Sequence, residues 1–238
     1  MRISVCMATY NGSEYVKVQL GSILKQLGPD DQVVVVDDAS NDNTVDIINS
    51  FNDLRIHLFI NELNIGPART FNRALHQAQG DLIFLSDQDD RWYDNKVYMV
   101  VDLFTNQNVD LIVHDASIVR GNCIINNSLF ERSRSSSGLF KNIKSNTYTG
   151  CCMAFRKDIL AKVLPISARI GLFHDAWIGV LAEFFGFRIA FIKVPLIEFI
   201  RHDRNASTLK KRGIFRILYD RLRFITAMTY HVIQIYIK

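Results

Sequence analysis

The chain has 238 residues, of which 48% are hydrophobic and 22% are charged, and its formal net charge is +4. These proportions are those of an ordinary globular protein, so they exclude a disordered chain, a collagen-like repeat and a small disulfide-rich scaffold. The slight basic excess does not indicate a nucleic-acid partner, and we expect none.

The first hundred residues alternate between strand and helix patterns. Short apolar runs predict buried strands at 3–8, 32–36, 55–60 and 81–85. Apolar residues spaced at three and four predict helices between these strands, at 16–27, 45–51 and 67–78. This alternation predicts a mainly parallel, Rossmann-like α/β sheet flanked by helices.

The second half of the chain has a less regular pattern. We predict strands at 110–113 and 150–155, one or two strands at 187–200, and a helix at 177–185 that is entered through His174 and Asp175. Residues 131–148 are polar and basic, and they predict a mobile loop.

The C-terminal segment predicts an amphipathic helix. At 100° per residue, one side carries Arg212, Arg216, Asp220 and Arg223, and the other side carries Phe215, Leu218, Leu222 and Ile225. Two interpretations stay open: a helix packed on the domain, or an interfacial helix with arginines on lipid headgroups. We therefore divide the chain into a domain at 1–208, with halves at 1–105 and 106–208, and a helix at 209–238.

The cysteines and the N-terminus are typical of a cytoplasmic protein. The cysteines form no C-x-x-C pair, so we expect reduced, mostly buried thiols. They are Cys6, Cys123, Cys151 and Cys152. The first residues turn polar too early for a signal peptide, and no run of about 18 uncharged apolar residues predicts a membrane span.

Polar clusters follow three of the predicted strands, at 9–12, 37–42 and 87–90. Ligands bind beyond the carboxyl ends of parallel strands, so these clusters should meet at one edge of the sheet. In the third cluster, Asp87 and Asp89 point to the same side of an extended segment. Oxygen ligands at that spacing suit Mg²⁺ or Mn²⁺. The alternative is an acidic turn that caps the helix after Trp92.

Five motifs in this order resemble the family 2 glycosyltransferases of the GT-A fold. They are ATYNG at 8–12, VVVVDDASNDNT at 33–44, NIGPARTFNRAL at 64–75, FLSDQDDRW at 84–92 and HDAW at 174–177. The resemblance covers the chain to about residue 208. The SDQDD-W form is similar to the bacterial rhamnosyltransferase-like branch, which serves O-antigen and capsule synthesis.

The resemblance implies roles for residues in the first half of the chain. Thr9, Tyr10 and Asn11 would line the pocket of the nucleotide base. Asp38 would accept a hydrogen bond from the pyrimidine ring N–H, and Arg69 would face the diphosphate.

It also implies the residues of the reaction centre. Asp87 would hold the ribose or the waters of the metal, and Asp89 would ligate the metal directly. Asp175 would be the catalytic base, as a single in-line displacement that inverts the anomeric carbon requires.

A late family motif is only partly retained, as FIRHDRNAS at 199–207. The arginine that the family carries is Ile200 here, or it is displaced to Arg201. His202 is retained and would face the metal or the diphosphate.

The implied activity is transfer of a sugar from a nucleoside diphosphate to a hydroxyl of a growing glycan. The implied donors are dTDP-rhamnose first, and then UDP-galactose or UDP-N-acetylhexosamine. A polyprenyl-linked acceptor would bring the protein to the inner face of the cell membrane.

Other interpretations of the same residues stay open. Asp175 could simply cap a helix. His114-Asp115 and His174-Asp175 are also typical of HD-type phosphohydrolases, although those enzymes are helical. A sugar-phosphate nucleotidyltransferase has a similar sheet but needs a glycine-rich phosphate loop, which ATYNG is not. A sugar-nucleotide-binding module without catalysis is the non-enzymatic alternative.

Overall fold

The computed structural model describes residues 1–121, 123–170, 173–202, 205 and 213–237. Within these ranges the strands are β1 (Ile3–Thr9), β2 (Gln32–Asp37), β3 (Ile56–Ile60), β4 (Leu82–Ser86), β5 (Arg91–Trp92), β6 (Leu111–Arg120), β7 (Cys123–Asn126), β8 (Met153–Arg156) and β9 (Ile189–Ile200). The helices are α1 (Val16–Leu24), α2 (Thr44–Asn49), α3 (Pro67–Gln77), α4 (Lys96–Asn106), α5 (Leu129–Ser133), α6 (Leu139–Lys144), α7 (Leu160–Val163), α8 (His174–Phe184) and α9 (Ile214–Ile237).

The strands form one mixed sheet in the order β3-β2-β1-β4-β8-β6-β9-β5, with β7 paired to β6. The first four strands along the chain, β1 to β4, are mutually parallel where they pair. Strand β8 is antiparallel to both β4 and β6, and β9 returns parallel to β6. The predicted parallel α/β sheet is therefore confirmed in the first half, whereas the second half is mixed.

The strand and helix patterns of the first half reflect which faces are buried. The valine run of β2 is fully buried on both faces, as is typical of a central parallel strand. Helix α3 begins with Pro67 after Gly66 at φ +85°, and it buries Phe71, Ala74 and Leu75 against the sheet.

The prediction of a mobile loop at 131–148 is wrong, because this segment contains α6 and the end of α5. Two of its polar side chains, Asn142 and Thr147, are buried and hydrogen-bonded to each other, and Ser128, just before the segment, caps α5. Tyr148 is also buried, and its hydroxyl donates to Glu183 at 2.6 Å. Composition alone did not reveal these long-range contacts.

Three predicted strand boundaries in the second half also differ. The strand predicted at 110–113 extends to Arg120, because β6 pairs along its length with β9. The strand predicted at 150–155 begins at Met153, after a short 3-10 helix over Gly150–Cys152. Residues 187–200 form the single strand β9, with an irregular register near Pro195. The cysteines are free, and Cys123 is exposed while the other three are buried.

The C-terminal helix α9 packs on the domain through only part of its surface. Phe224 and Met228 are buried, and His231 contacts Trp177 edge-on and lies 2.9 Å from the carbonyl of Lys162. The predicted apolar side faces outward instead. Its exposed members are Phe215, Leu218, Leu222 and Ile225. The predicted domain boundary at 208/209 and Arg212 lie outside the described residues.

None of the helices in the described ranges combines the length and apolarity needed to cross a membrane.

Candidate active site

The loop after β1 presents an aromatic ring at the carboxyl edge of the parallel strands. Tyr10 is 44% exposed. Asn11 adopts φ +48°, its backbone N–H donates to the hydroxyl of Ser40 at 2.8 Å, and its side chain accepts from the backbone of Asn41 at 2.9 Å. The polar clusters after β1 and β2 therefore meet, as the sequence predicts.

The buried side chain of Thr9 anchors the start of this loop. Its hydroxyl donates to Asp37 at 2.8 Å, and Asp37 also accepts from the hydroxyl and the backbone of Ser40. Asp37 is itself fully buried. The network fixes the ends of β1 and β2 relative to each other.

Asp38 organises the loop between β3 and α3. Its carboxylate accepts from the side chain of Asn61 at 2.7 Å and from the backbones of Ile65 and Gly66, both at 2.9 Å. Asn61 and Ile65 also line a shallow depression of about 510 Å³, and exposed Arg69 lies on its rim. Asp38 and Arg69 thus lie on the same side of the sheet edge.

The carboxylates after β4 gather close to a cysteine. Ligand atoms of Asp87, Asp90 and Cys151 all lie within 4.8 Å of one another. Desolvation, followed by the charges of Asp89 and Asp175, raises the pKa of Asp87 to about 7. Burial and the neighbouring aspartates raise the pKa of Asp90 well above its usual range. Two closely spaced carboxylates fit a hard divalent cation, whereas the thiol is a softer ligand.

Lys96 places its amino group beside these carboxylates. Its side chain is fully buried, its ammonium donates to the carbonyl of Cys151 at 2.9 Å, and it lies 3.9 Å from the ring centre of Trp92. Desolvation lowers the pKa of Lys96 to about 8, although the charges of Asp90 and Asp87 act in the opposite direction. The ammonium offsets part of the repulsion within the acidic cluster.

Asp89 faces the segment that follows β9. His202 Nε2 and Asn205 Nδ2 lie 2.9 and 3.0 Å from the same carboxylate oxygen of Asp89. The His202 ring stacks on Tyr15, with ring centres 4.3 Å apart. The structure therefore brings the two predicted metal ligands Asp89 and His202 together, although here they contact each other.

Asp175 lies in the first turn of α8, two residues beyond the N-cap, which is Phe173. Its carboxylate accepts from the backbone of Ala176 at 2.7 Å and from Asn146 at 3.4 Å. Desolvation raises the pKa of Asp175 to about 6, against the opposing effect of these hydrogen bonds. The carboxylate is therefore poised to accept a proton near neutral pH.

The second half also brings guanidinium groups toward the carboxylates. Arg201 lies above the ring of Phe199, and both Arg132 and Asp89 influence its pKa, which desolvation lowers. The backbone N–H of Ile200, where the family carries arginine, donates to Asp90 at 3.2 Å. The motif residues Asp203, Arg204, Ala206 and Ser207 lie outside the described residues.

The histidines of the two H-D pairs are not arranged as in a phosphohydrolase. His114 is buried, its ring lies 2.7 Å from the carbonyl of Asp115, and burial lowers its pKa well below the usual value. His174 stacks on Phe71 with ring centres 4.0 Å apart. Within the ranges that the structure covers, neither pair belongs to a group of potential metal ligands.

Sequence reasoning gave no role to Asp90, Lys96, Cys151 or Asn205. Asp90 belongs to the same SDQDD run as the predicted ligands, and Asn205 belongs to the late motif. The sequence could therefore have suggested both residues. The only sequence feature that could have drawn attention to Lys96 is that it is a cationic residue beside the apolar residues of a predicted helix. Cys151 offered no such feature, because its position depends on the antiparallel pairing of β8 with β4.

Comparison with known proteins identifies the family. The profile described as "Glycosyl transferase family 2" matches residues 4–164. The UDP-Glc:alpha-D-GlcNAc-diphosphoundecaprenol beta-1,3-glucosyltransferase WfgD of Escherichia coli is 31% identical over 140 residues, which are 59% of this chain and 55% of WfgD. The chain spans about half the length of the curated relatives that it matches.

Solved structures confirm the expected GT-A fold. TarS 1–349 of S. aureus in complex with UDP-GlcNAc superposes with a TM-score of 0.76 at 21% identity, over 96% of this chain and 66% of that one. The mannosyltransferase PcManGT from Pyrobaculum calidifontis, in complex with GDP-Man and Mn2+, gives a TM-score of 0.61 at 21% identity, over 96% and 64%.

Proposed function

The chain belongs to glycosyl transferase family 2, and from this premise we propose that it transfers a sugar from a nucleoside diphosphate to a hydroxyl of a growing surface glycan, with inversion at the anomeric carbon. One observation carries the proposal. The charges of Asp89 and Asp175 both raise the pKa of Asp87 at the carboxyl edge of the parallel strands, and Gln88, between Asp87 and Asp89, hydrogen-bonds to the backbone of Tyr10.

The donor base binds on the side of the first two strands. The ring of Tyr10 offers a flat face for stacking, and Asn11 borders the same pocket. Thr9 and Asp38 support the pocket through buried hydrogen bonds, and Asp38 accepts from the pyrimidine N–H with its remaining lone-pair capacity. Arg69 on the neighbouring helix attracts the diphosphate.

Asp89, Asp87 and His202 are the residues that would hold a divalent cation, Mg²⁺ or Mn²⁺, with Asp89 as the direct ligand. The oxygen-rich donor set and the raised pKa of Asp87 fit such an ion, because a nearby cation would favour the charged carboxylates. When bound, the ion supplies positive charge that offsets the charge on the departing diphosphate. Asp89 would exchange its contact with His202 for this role.

Asp175 removes the proton from the acceptor hydroxyl as the new glycosidic bond forms. A carboxylate with a pKa of about 6 is mostly ionised at neutral pH and still basic enough to take this proton. No covalent intermediate is needed, because a single displacement with one base inverts the anomeric carbon.

The relatives favour a UDP-linked hexose over dTDP-rhamnose as the donor. WfgD is named as a glucosyltransferase that uses UDP-Glc, and the TarS structure contains UDP-GlcNAc. WfgD is also named for an acceptor on diphosphoundecaprenol, which supports a polyprenyl-linked glycan as the acceptor here. Such an acceptor would be met at the inner face of the cell membrane.

The direct test is a screen for ligands that stabilise the protein in the presence of Mn²⁺. UDP-glucose, UDP-GlcNAc, UDP-galactose and dTDP-rhamnose are compared by thermal unfolding. At about 100 times its Kd, the true donor should raise the melting temperature by roughly 5–10 °C, because it binds only the folded state. No stabilisation by any sugar nucleotide would contradict the proposal.

The products of slow donor hydrolysis separate the remaining alternatives. A transferase should release the nucleoside diphosphate in a metal-dependent reaction. Release of a monophosphate or of pyrophosphate would indicate a nucleotidyltransferase. Binding without any release would indicate a non-catalytic module.

The outward side of α9 is proposed to contact the membrane surface. Leu218 and Leu222 are 56% and 62% exposed, and Arg216 and Arg223 lie on the neighbouring side of the helix. We expect Leu218→Asp combined with Leu222→Asp to lower co-sedimentation with phosphatidylglycerol vesicles by at least about tenfold, because two leucines lose their burial in lipid.

The control replaces two other exposed leucines, Leu54→Asp and Leu63→Asp, on the loops that flank β3. These changes should leave vesicle binding intact. Equal binding of the α9 variant and the parent protein would show that the helix side does not contact lipid.

A further inference from the structure

The side chain of Gln88 bridges two loops of the site. Its amide oxygen accepts from the backbone N–H of Tyr10 at 2.9 Å, and its amide nitrogen donates to the carbonyl of Tyr10 at 3.1 Å. A Cβ added at Gly12 would lie 2.2 Å from the amide oxygen of Gln88. The absence of a side chain at Gly12 therefore makes room for this bridge.

The loop that carries Tyr10 is also hydrogen-bonded to the connection between β2 and α2. The backbone N–H groups of Asn11 and Gly12 donate to the hydroxyls of Ser40 and Thr44, both at 2.8 Å. The loop and the connection from β2 to α2 therefore form one hydrogen-bonded unit. Its two hydrogen bonds to Gln88 connect that unit to the segment after β4.

The segment after β4 carries the two aspartates on either side of Gln88. The carbonyl of Asp87 accepts from Gln19 at 3.1 Å, and the carboxylate of Asp89 lies 2.9 Å from His202. Gln88 lies between Asp87 and Asp89 in the chain, so its two hydrogen bonds to Tyr10 hold the backbone that carries both carboxylates against the base loop. The position of Tyr10 is thereby linked to the segment that carries the two carboxylates.

We propose that Gln88 is a positioning residue that couples occupancy of the base loop at Tyr10 to cation binding at Asp87 and Asp89. This inference rests on the proposed function, because it assumes that a base and a cation bind at these two places. Coupling of this kind is reciprocal: the cation tightens nucleoside binding by the same factor by which the nucleoside tightens cation binding.

The test uses uridine, with thymidine as a second probe, because a nucleoside has no phosphate to contact the cation directly. Any effect of Mn²⁺ on its affinity must then pass through the protein. In the parent protein we expect Mn²⁺ to tighten nucleoside binding about fivefold or more, measured by NMR titration. In Gln88→Met, which keeps the length but loses both hydrogen bonds, the factor should fall close to one.

A second variant addresses the same bridge from the other loop. Gly12→Ala should displace the amide of Gln88 and reduce the coupling factor in the same way. If Gln88→Met does not fold, the coupling factor is measured in Gly12→Ala and Gln88→Ala instead.

The control is Gln107→Met, which changes an exposed glutamine at the end of α4 and should keep the coupling factor of the parent protein. A purely structural brace would change the melting temperature but not the coupling factor.

The outcomes separate this inference from the proposed function. If UDP binds with Mn²⁺ but the coupling survives in Gln88→Met, or neither nucleoside binds, the inference is overturned and the proposed function stands. If neither UDP nor Mn²⁺ binds to the parent protein, the proposed function is overturned, and the inference fails with it.

Discussion

Asp175→Asn is expected to lower the rate of sugar transfer by about 10²–10⁴-fold, which is the usual contribution of a general base. Asparagine keeps the size of the side chain and can still accept from the backbone of Ala176, so the start of α8 should be preserved. Donor affinity should be unchanged, because the lost interaction is made only in the transition state. The measurement is kcat and the donor Kd for both proteins.

The pH profile gives this expectation a second readout. Desolvation raises the pKa of Asp175 to about 6, and the base works only when it is ionised. The rate of the parent protein should therefore fall about tenfold per pH unit below that pKa. The residual rate of Asp175→Asn should lack this acidic limb.

The matched control is Asp158→Asn, which neutralises an exposed aspartate in a short 3-10 helix remote from the carboxylate cluster. It should leave both the rate and the pH profile as they are in the parent protein. A loss of donor affinity as large as the loss of rate in Asp175→Asn would show that Asp175 is not the base.

Asp89→Ala is expected to abolish metal-dependent transfer. The proposed cation contributes several kcal/mol of charge stabilisation, so its loss should lower the rate by roughly a hundredfold or more. Addition of Mn²⁺ after treatment with EDTA should restore the parent protein and not the variant. Mn²⁺ affinity is measured independently, by electron paramagnetic resonance.

Removal of Asp89 also takes one hydrogen-bond partner from His202 and from Asn205, so a second variant separates charge from packing. Asp89→Asn keeps the size of the side chain and loses only the charge, and it should be nearly as inactive as Asp89→Ala. Asp94→Asn, a change at an exposed aspartate before α4, serves as the control. An Asp89 variant that stays active and resists EDTA would contradict the assignment.

The first half of the fold could be predicted because local pattern and burial agree there. The valines of β2 are buried on both faces, and α3 presents a regular apolar stripe, so each element is recognisable by itself. The convergence of the polar clusters then follows from the parallel arrangement of β1, β2 and β4.

The second half could not be predicted in the same detail because its order depends on distant contacts. Residues 131–148 have the composition of a loop, yet the hydrogen bond from Tyr148 to Glu183 spans 35 residues. Helix α9 has an apolar side by sequence, but the residues that pack on the domain, Phe224 and Met228, belong largely to another part of its surface.

The candidate site shows the same division. The strand pattern pointed to Asp87 and Asp89, the family resemblance pointed to Asp175, and in the structure the charges of Asp89 and Asp175 both act on Asp87. The supporting contacts were not predictable: Gln88 meets Tyr10 across 78 residues, and the ammonium of Lys96 meets the carbonyl of Cys151 across 55. Neither contact has a signature in local sequence.

The central claim is that acidic side chains after β4 hold a divalent cation against the diphosphate of a sugar nucleotide. A crystal structure with UDP and Mn²⁺, with data collected at the manganese absorption edge, tests it most directly. We predict an anomalous peak within bonding distance of Asp89 and of the diphosphate oxygens. UDP bound at Tyr10 with no such peak, and with Asp87 and Asp89 turned away from the diphosphate, would contradict the claim.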